Sequence, residues 1–178
     1  MTPSFAPDEL ARCVRRLAAE IADGLARGAG APPFALVGIR RGGVPVARQL
    51  AREIAAREGV EVPVGTVEIA LYRDDAATAL PDPKIGPSEI GFDVRGRDVV
   101  LVDDVLETGR TVRAAIDCLL DYGRPRRIWL AVLFDRGGRE LPIAPDFVGR
   151  VVEVPPATRL EVFADEVDGT LRMTEVSS

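Results

Sequence analysis

Val99-Val100-Leu101-Val102-Asp103-Asp104-Val105-Leu106-Glu107-Thr108-Gly109-Arg110-Thr111 is the stretch on which the reading turns. Its opening residues are apolar and mostly β-branched, which suits a strand buried on both faces of a parallel sheet. Two adjacent carboxylates follow at the strand's end. A Thr-Gly-Arg-Thr turn then opens a helix that runs to about Tyr122, with Val112, Ala115, Ile116, Leu119 and Leu120 inward and Gly123 closing it. Such a turn aims several backbone N–H groups one way, and the helix N-terminus adds positive potential. The hydroxyls of Thr108 and Thr111 can donate as well. Together these groups form a phosphate cradle. The carboxylates just before it can accept hydrogen bonds from a vicinal diol. Phosphate and diol together describe a ribose 5-phosphate. The alternative is a plain strand–helix turn with two solvated acids and a capping threonine. It would serve for an isolated Asp-Asp pair, but not for the whole ordered run.

The same alternation extends outward in both directions. Leu10, Cys13, Val14, Leu17, Ile21 and Leu25 recur at three- and four-residue spacing, which predicts a helix over residues 8–27 with Asp8 as its cap. Phe34-Ala35-Leu36-Val37-Gly38-Ile39 reads as a buried strand, Arg40-Arg41-Gly42-Gly43 as a tight polar loop, and residues 44–57 as a helix. Residues 62–71 read as a further strand, ahead of Tyr72-Arg73-Asp74-Asp75. From 76 to 91 the prolines Pro81, Pro83 and Pro87 and the glycines Gly86 and Gly91 exclude a helix or a central strand. A loop of that length suggests a lid or a binding loop. Residues 128–134 form another strand, ending at Asp135-Arg136-Gly137-Gly138-Arg139. Asp168-Gly169 reads as a hairpin turn between shorter strands. The order of elements predicts an α/β fold with a mainly parallel sheet, in one domain over residues 1–178. Its ligands should sit beyond the carboxyl ends of the strands.

Composition narrows the chemistry. The chain has 178 residues, a net charge of −5 and no histidine. The lack of histidine removes imidazole bases, imidazole metal ligands and every triad built on them. An acidic balance argues against a purely electrostatic nucleic-acid binder. Cys13 and Cys118 each sit among apolar neighbours, as buried free thiols would. No apolar run approaches the roughly 18 residues of a membrane span. Met1-Thr2-Pro3-Ser4-Phe5 lacks the pattern of a secretory signal, so the expected location is the cytoplasm.

The run from Val99 to Thr111 resembles the phosphoribosyl pyrophosphate (PRPP) motif of type I phosphoribosyltransferases. The resemblance implies that fold: a mainly parallel twisted sheet flanked by helices, with a small hood and a flexible loop. It implies that Asp103 and Asp104 hold the ribose hydroxyls. Val105, Leu106, Glu107, Thr108, Gly109, Arg110 and Thr111 would form the 5-phosphate loop. Tyr72-Arg73-Asp74-Asp75, residues 117–125, Asp135-Arg136-Gly137 with Arg139-Glu140-Leu141-Pro142, and Asp165-Glu166-Val167-Asp168 resemble the pyrimidine operon regulator family. That family combines uracil phosphoribosyltransferase activity with RNA-dependent control of pyrimidine genes, as dimers or higher oligomers.

By the same resemblance Arg40, Arg41 and Gly42 hold pyrophosphate. Residues 72–91 match the loop that closes over PRPP, with Arg73 neutralising pyrophosphate. Arg136 and Leu160 line the base pocket. Mg²⁺ is carried by PRPP and water, with no dedicated metal cage. Glu107 stands where the regulators usually carry an aromatic residue and where purine enzymes often carry an acid, so it is expected to face the base as a specificity or deprotonating group. Other positions depart from the regulators' pattern: Arg41-Gly42-Gly43 replaces Thr-Arg-Gly, Ala19 and Gly138 replace histidines, and Gly149-Arg150-Val151 replaces Gly-Lys-Asn. The expected reaction is uracil plus PRPP giving UMP and pyrophosphate. Two alternatives stay open. One is an RNA-binding attenuator using nucleotide or PRPP as effector, with Arg12, Arg15, Arg16 and Arg27 as a basic face and a leader RNA as partner. The other is a phosphoribosyltransferase for another base.

Overall fold

The computed structural model describes residues 5–25, 33–74 and 87–177. Helix α1 is Pro7–Leu25, strand β1 Phe34–Ile39, helix α2 Gly43–Glu58 and strand β2 Val64–Val67. Then come β3 Asp98–Leu106, α3 Arg110–Leu120, β4 Arg127–Asp135, β5 Phe147–Val151, β6 Thr158–Ala164 and β7 Leu171–Ser177. Strands β1 to β5 form one parallel sheet in the order β2-β1-β3-β4-β5. Strands β6 and β7 form a separate antiparallel hairpin, the small hood expected from the sequence.

Side-chain alternation on β3 divides the core in two. Val100 and Val102 cluster with Leu10, Val14, Leu17 and Ile21 of α1 and with Val46, Leu50 and Ile54 of α2. Val99 and Leu101 cluster with Val112, Ala115 and Leu119 of α3. Leu160 and Val162 of β6 and Leu171 of β7 join the α1–α2 cluster and fix the hairpin over that face. The alternation slips across the acid pair. Val105 packs with the α1–α2 cluster and Leu106 with the α3 cluster, out of phase with Val99 to Val102. Each fully buried aliphatic side chain contributes about 1.5–3 kcal/mol of transfer free energy, which offsets chain entropy.

Several expectations need correction. The strand expected over 62–71 pairs only over Val64–Val67. Beyond it, β1 has ended and other partners meet the backbone. Glu68 N–H donates to Ser88 Oγ at 2.7 Å, Ala70 N–H to the Glu68 carboxylate at 3.0 Å, and Tyr72 N–H to the Ile69 carbonyl at 2.9 Å. Asp8 lies within the first turn of α1 instead of capping it. The Ala6 carbonyl takes the capping role, accepting from the N–H groups of Glu9 and Leu10. The acids Asp103 and Asp104 lie within β3, which extends to Leu106, and not just past its end. The Asp168-Gly169 turn does join β6 to β7. Gly169 has a φ of 69°, and its N–H donates to the Asp165 carbonyl at 3.0 Å. Of the expected lid, residues 75–86 lie outside the described residues, as do residues 26 and 27 of the expected first helix.

Candidate active site

The sheet order places the site. From β1 the chain goes to β2 on one side, then returns to lay β3 on the other. The loops after β1 and β3 therefore leave adjacent strands at the carboxyl edge, where such a reversal opens a crevice. Gly42 and Gly43 press against β3 there. A Cβ on Gly43 would lie 2.2 Å from the Val102 carbonyl oxygen, and one on Gly42 would lie 2.1 Å from Asp104 Oδ2. Only glycine permits this approach. The pyrophosphate loop expected at Arg40, Arg41 and Gly42 thus touches the expected ribose acids.

Asp103 is buried and Asp104 partly so. Asp103 is 5% exposed. Its Oδ1 accepts from the Asp104 N–H at 3.0 Å, and Asp104 Oδ2 accepts from the Val162 N–H of β6 at 3.4 Å. Burial, and after it the Asp104 charge, pushes the Asp103 carboxyl well above the usual carboxylate range. Burial also raises Asp104, although hydrogen bonds from neighbouring groups oppose it. A desolvated carboxylate pair of this kind gains from hydroxyl donors or a cation.

Past β3, Gly109 caps α3 with a φ of 89° and no side-chain cap bond. Beyond Arg110, the N–H groups of the helix's first turn are then available to an anion. Thr108 shapes the turn: its Oγ1 accepts from the Arg110 N–H at 3.2 Å, and its carbonyl accepts from the N–H groups of Glu140 and Leu141 at 3.0 and 3.1 Å. Arg139 locks the same turn to the edge of β4. Its guanidinium donates to the carbonyls of Glu107 at 2.9 Å and Ile143 at 3.0 Å, and pairs with Asp135 at 2.7 Å. Burial pushes the Asp135 carboxyl up, but Arg139 and the Gly137 N–H outweigh it and leave it lowered.

Arg136 is 6% exposed on its side chain and 3.7 Å from Glu107 Oε2. It is pinned by the carbonyls of Thr158 at 2.7 Å and Pro155 at 3.2 Å. Glu107 is half exposed and faces Gly138, where a Cβ would lie 3.5 Å from Glu107 Cγ. Gly138 has a φ of 77°, so glycine suits the position that the regulators usually fill with histidine. Leu160 is 7% exposed and lies in the α1–α2 cluster, not on an open surface. Arg40, Arg41, Val44, Pro45, Arg48 and Glu68 line a cavity of about 390 Å³ beside the 40–43 loop. Arg73 is exposed between Tyr72 and Asp74, close to the start of α3.

A phosphoribosyl transferase domain model matches residues 7–159. Bifunctional protein PyrR of Roseiflexus sp. (strain RS-1) is 52% identical over 162 residues, which cover 91% of this chain and 87% of that protein. Bifunctional protein PyrR of Thermus thermophilus is 50% identical over 165 residues, covering 93% and 90%. The chain belongs to the PyrR family. Among solved structures, a hypoxanthine-guanine phosphoribosyltransferase from Bacillus anthracis superposes with a TM-score of 0.66 at 18% identity, covering 89% of this chain and 86% of that one. A hypoxanthine phosphoribosyltransferase from Trypanosoma cruzi, in complex with IMP, gives 0.63 at 20% identity, covering 84% and 74%. At that identity these two show the fold, which is the type I phosphoribosyltransferase fold.

Within this PyrR-family chain, the basic face expected on α1 is partly engaged. Arg16 pairs with Glu20 at 2.6 Å and donates to the Gly149 carbonyl, while Arg12 and Arg15 are exposed. Arg27 lies outside the described residues. In the sequence Arg139 belongs to a family-like motif without a role of its own, and nothing there marks Arg48 or the Val162 backbone. Arg139 stood four residues after Asp135 on a strand-end loop, a spacing that could have marked it. No sequence signal pointed to Val162, because its contribution is a main-chain N–H.

Proposed function

We propose that this protein is a uracil phosphoribosyltransferase, converting uracil and PRPP to UMP and pyrophosphate, linked to control of pyrimidine genes. The observation that carries the reading is the Asp103–Asp104 pair, its first member buried and its second partly so. It is wedged between the glycines of the 40–43 loop and the Val162 N–H, one turn before a glycine-capped helix. The bifunctional relatives support the same reading.

In this proposal Asp103 and Asp104 orient the ribose through its hydroxyls. Residues 105–111 take the 5-phosphate on backbone N–H groups and the threonine hydroxyls. Arg40, Arg41 and Gly42 hold pyrophosphate, and Arg73 neutralises it as negative charge develops on the leaving group. Arg136 and Leu160 bound the base site, and Glu107 faces the base. The base nitrogen attacks the anomeric carbon from the side opposite pyrophosphate; a C–N bond forms as the C–O bond breaks, and the base loses a proton. Mg²⁺ carried by PRPP supplies further charge neutralisation when bound. The all-oxygen Asp103–Asp104 pair suits its water shell. The chain would act as one domain, in the cytoplasm, as a homodimer or higher oligomer, with a pyrimidine-operon leader RNA as regulatory partner.

The test is pyrophosphate release from PRPP with Mg²⁺ and each common nucleobase in turn, beside Asp104→Asn. Uracil-dependent release that collapses in the variant is expected. Release with another base alone would overturn the uracil assignment. No release with any base would overturn the enzymatic reading.

A further inference from the structure

The segment that leaves β2 toward residue 75 lies along α3 and is held there by side chains of that helix. Arg113 Nη2 donates to the Tyr72 carbonyl at 2.6 Å and pairs with Asp74 Oδ1 at 2.8 Å. Its Nη1 is braced by Asp117, one helical turn on, at 2.6 Å. Arg110 pairs with the other Asp74 oxygen at 2.7 Å, and the Tyr72 hydroxyl bonds to Asp121. One guanidinium therefore grips the residue before Arg73 and the residue after it.

We propose that Arg113 is a positioning residue that aims Arg73 at the pyrophosphate of PRPP. The claim rests on the function proposed above. Fixing the Tyr72 carbonyl and the Asp74 carboxylate leaves the intervening backbone little freedom, because each peptide is planar and only two dihedrals per residue remain. A planar, rigid fork of donors can hold two acceptors at once, which a lysine ammonium on its flexible stem does poorly. Arg113 itself is committed to Tyr72, Asp74 and Asp117, so its own charge is largely answered within the protein. Its effect on substrate passes through Arg73. Holding the Arg73 backbone in place before PRPP arrives removes part of the ordering cost from the reacting complex.

The experiment is a double-mutant cycle of Arg73→Ala and Arg113→Ala, reading kcat and KM for PRPP. The dissociation constant of ribose 5-phosphate, which carries no pyrophosphate, is measured alongside. Each single substitution should lower kcat/KM for PRPP roughly ten- to hundredfold. The double variant should be no worse than Arg73→Ala alone, because the second change acts through the first. Ribose 5-phosphate should bind all four proteins alike. Arg113→Lys should fail to restore activity. Asp74→Asn should shift PRPP kinetics in the same direction by less, and it serves if Arg113→Ala does not fold. Losses that multiply in the double variant, or weakened ribose 5-phosphate binding in Arg113→Ala, would overturn the proposal. If the wild-type protein forms no UMP, the functional reading fails instead. The positioning claim is then decided by PRPP affinity in the same cycle, with non-additive losses supporting it and additive losses overturning it.

Discussion

Gly42 lies against the carboxylate of Asp104 so closely that a methyl group in place of its hydrogen would sit 2.1 Å from Oδ2. The contact joins the loop after β1 to the acid pair of β3. Gly42→Ala must therefore displace either the loop or the carboxylate. The expected result is a fall in kcat/KM for PRPP of about a hundredfold, as for a misplacement on the order of 1 Å. Steady-state kinetics at saturating uracil would check it, and a variant with unchanged kinetics would show that the two groups can part at no cost.

The buried acids should make the ligand-free protein less stable as pH rises. Burial and the Asp104 charge raise the Asp103 carboxyl, and burial raises Asp104. The folded state thus binds these protons more tightly than the unfolded chain. The contribution is fully present below the unfolded carboxylate pKa and is lost as pH rises through the higher folded values. Asp103→Asn keeps an oxygen for the Asp104 N–H and removes one charge. It should raise Tm at neutral pH by roughly 2–4 °C, with the gain shrinking toward about pH 4, while activity is lost. Calorimetry without ligand across that range reads both the sign and the window.

Glu107→Gln keeps size and removes the charge that faces Arg136 at 3.7 Å. If Glu107 meets the incoming base, turnover should fall on the order of a hundredfold and preference among bases should shift. A base panel with the variant gives the answer. Unchanged turnover and preference would reduce Glu107 to a shaper of the loop.

Arg139→Met removes the guanidinium that ties the Glu107 and Ile143 carbonyls to Asp135. Stability should fall by about 1–3 kcal/mol, since partly buried acceptors lose a charged donor. The acid limb should change as well. Asp135 is lowered in the folded protein, so it stabilises above the unfolded carboxylate pKa, and that share is lost as pH falls through the folded value. Urea titrations at neutral and acid pH should show the variant losing less than the wild type on acidification.

Much of this was legible in the sequence. Val99 to Val102 read as a buried strand because a strand covered on both faces has no polar side to show. Thr108 to Thr111 read as a strand-to-helix turn because glycine and hydroxyl residues leave few other structures. The end of β2 has no such signal. Glu68 to Leu71 continue an apolar-rich pattern, and only the partners of their main chain, Ser88 Oγ and the Glu68 carboxylate, show that the ladder has stopped. The slip in alternation between Val102 and Val105 was also invisible, since both acids and both valines fit either phase. Contacts such as Gly42 with Asp104, or Val162 with Asp104, join distant parts of the chain and leave no local signature.

The register of the sheet bears on how the chain is made. Phe34 of β1 pairs with Asp98 of β3, and Asp98 in turn pairs with Arg127 of β4. The strand that carries the acids is therefore flanked by one strand translated long before it and one translated after it. On the ribosome, β1 must wait for β3, and β3 stays an open edge until β4 has emerged. The nascent protein thus passes through an interval in which the strand that carries its acid pair is exposed on one side. That interval is where a chaperone, or a neighbouring nascent chain, would find it.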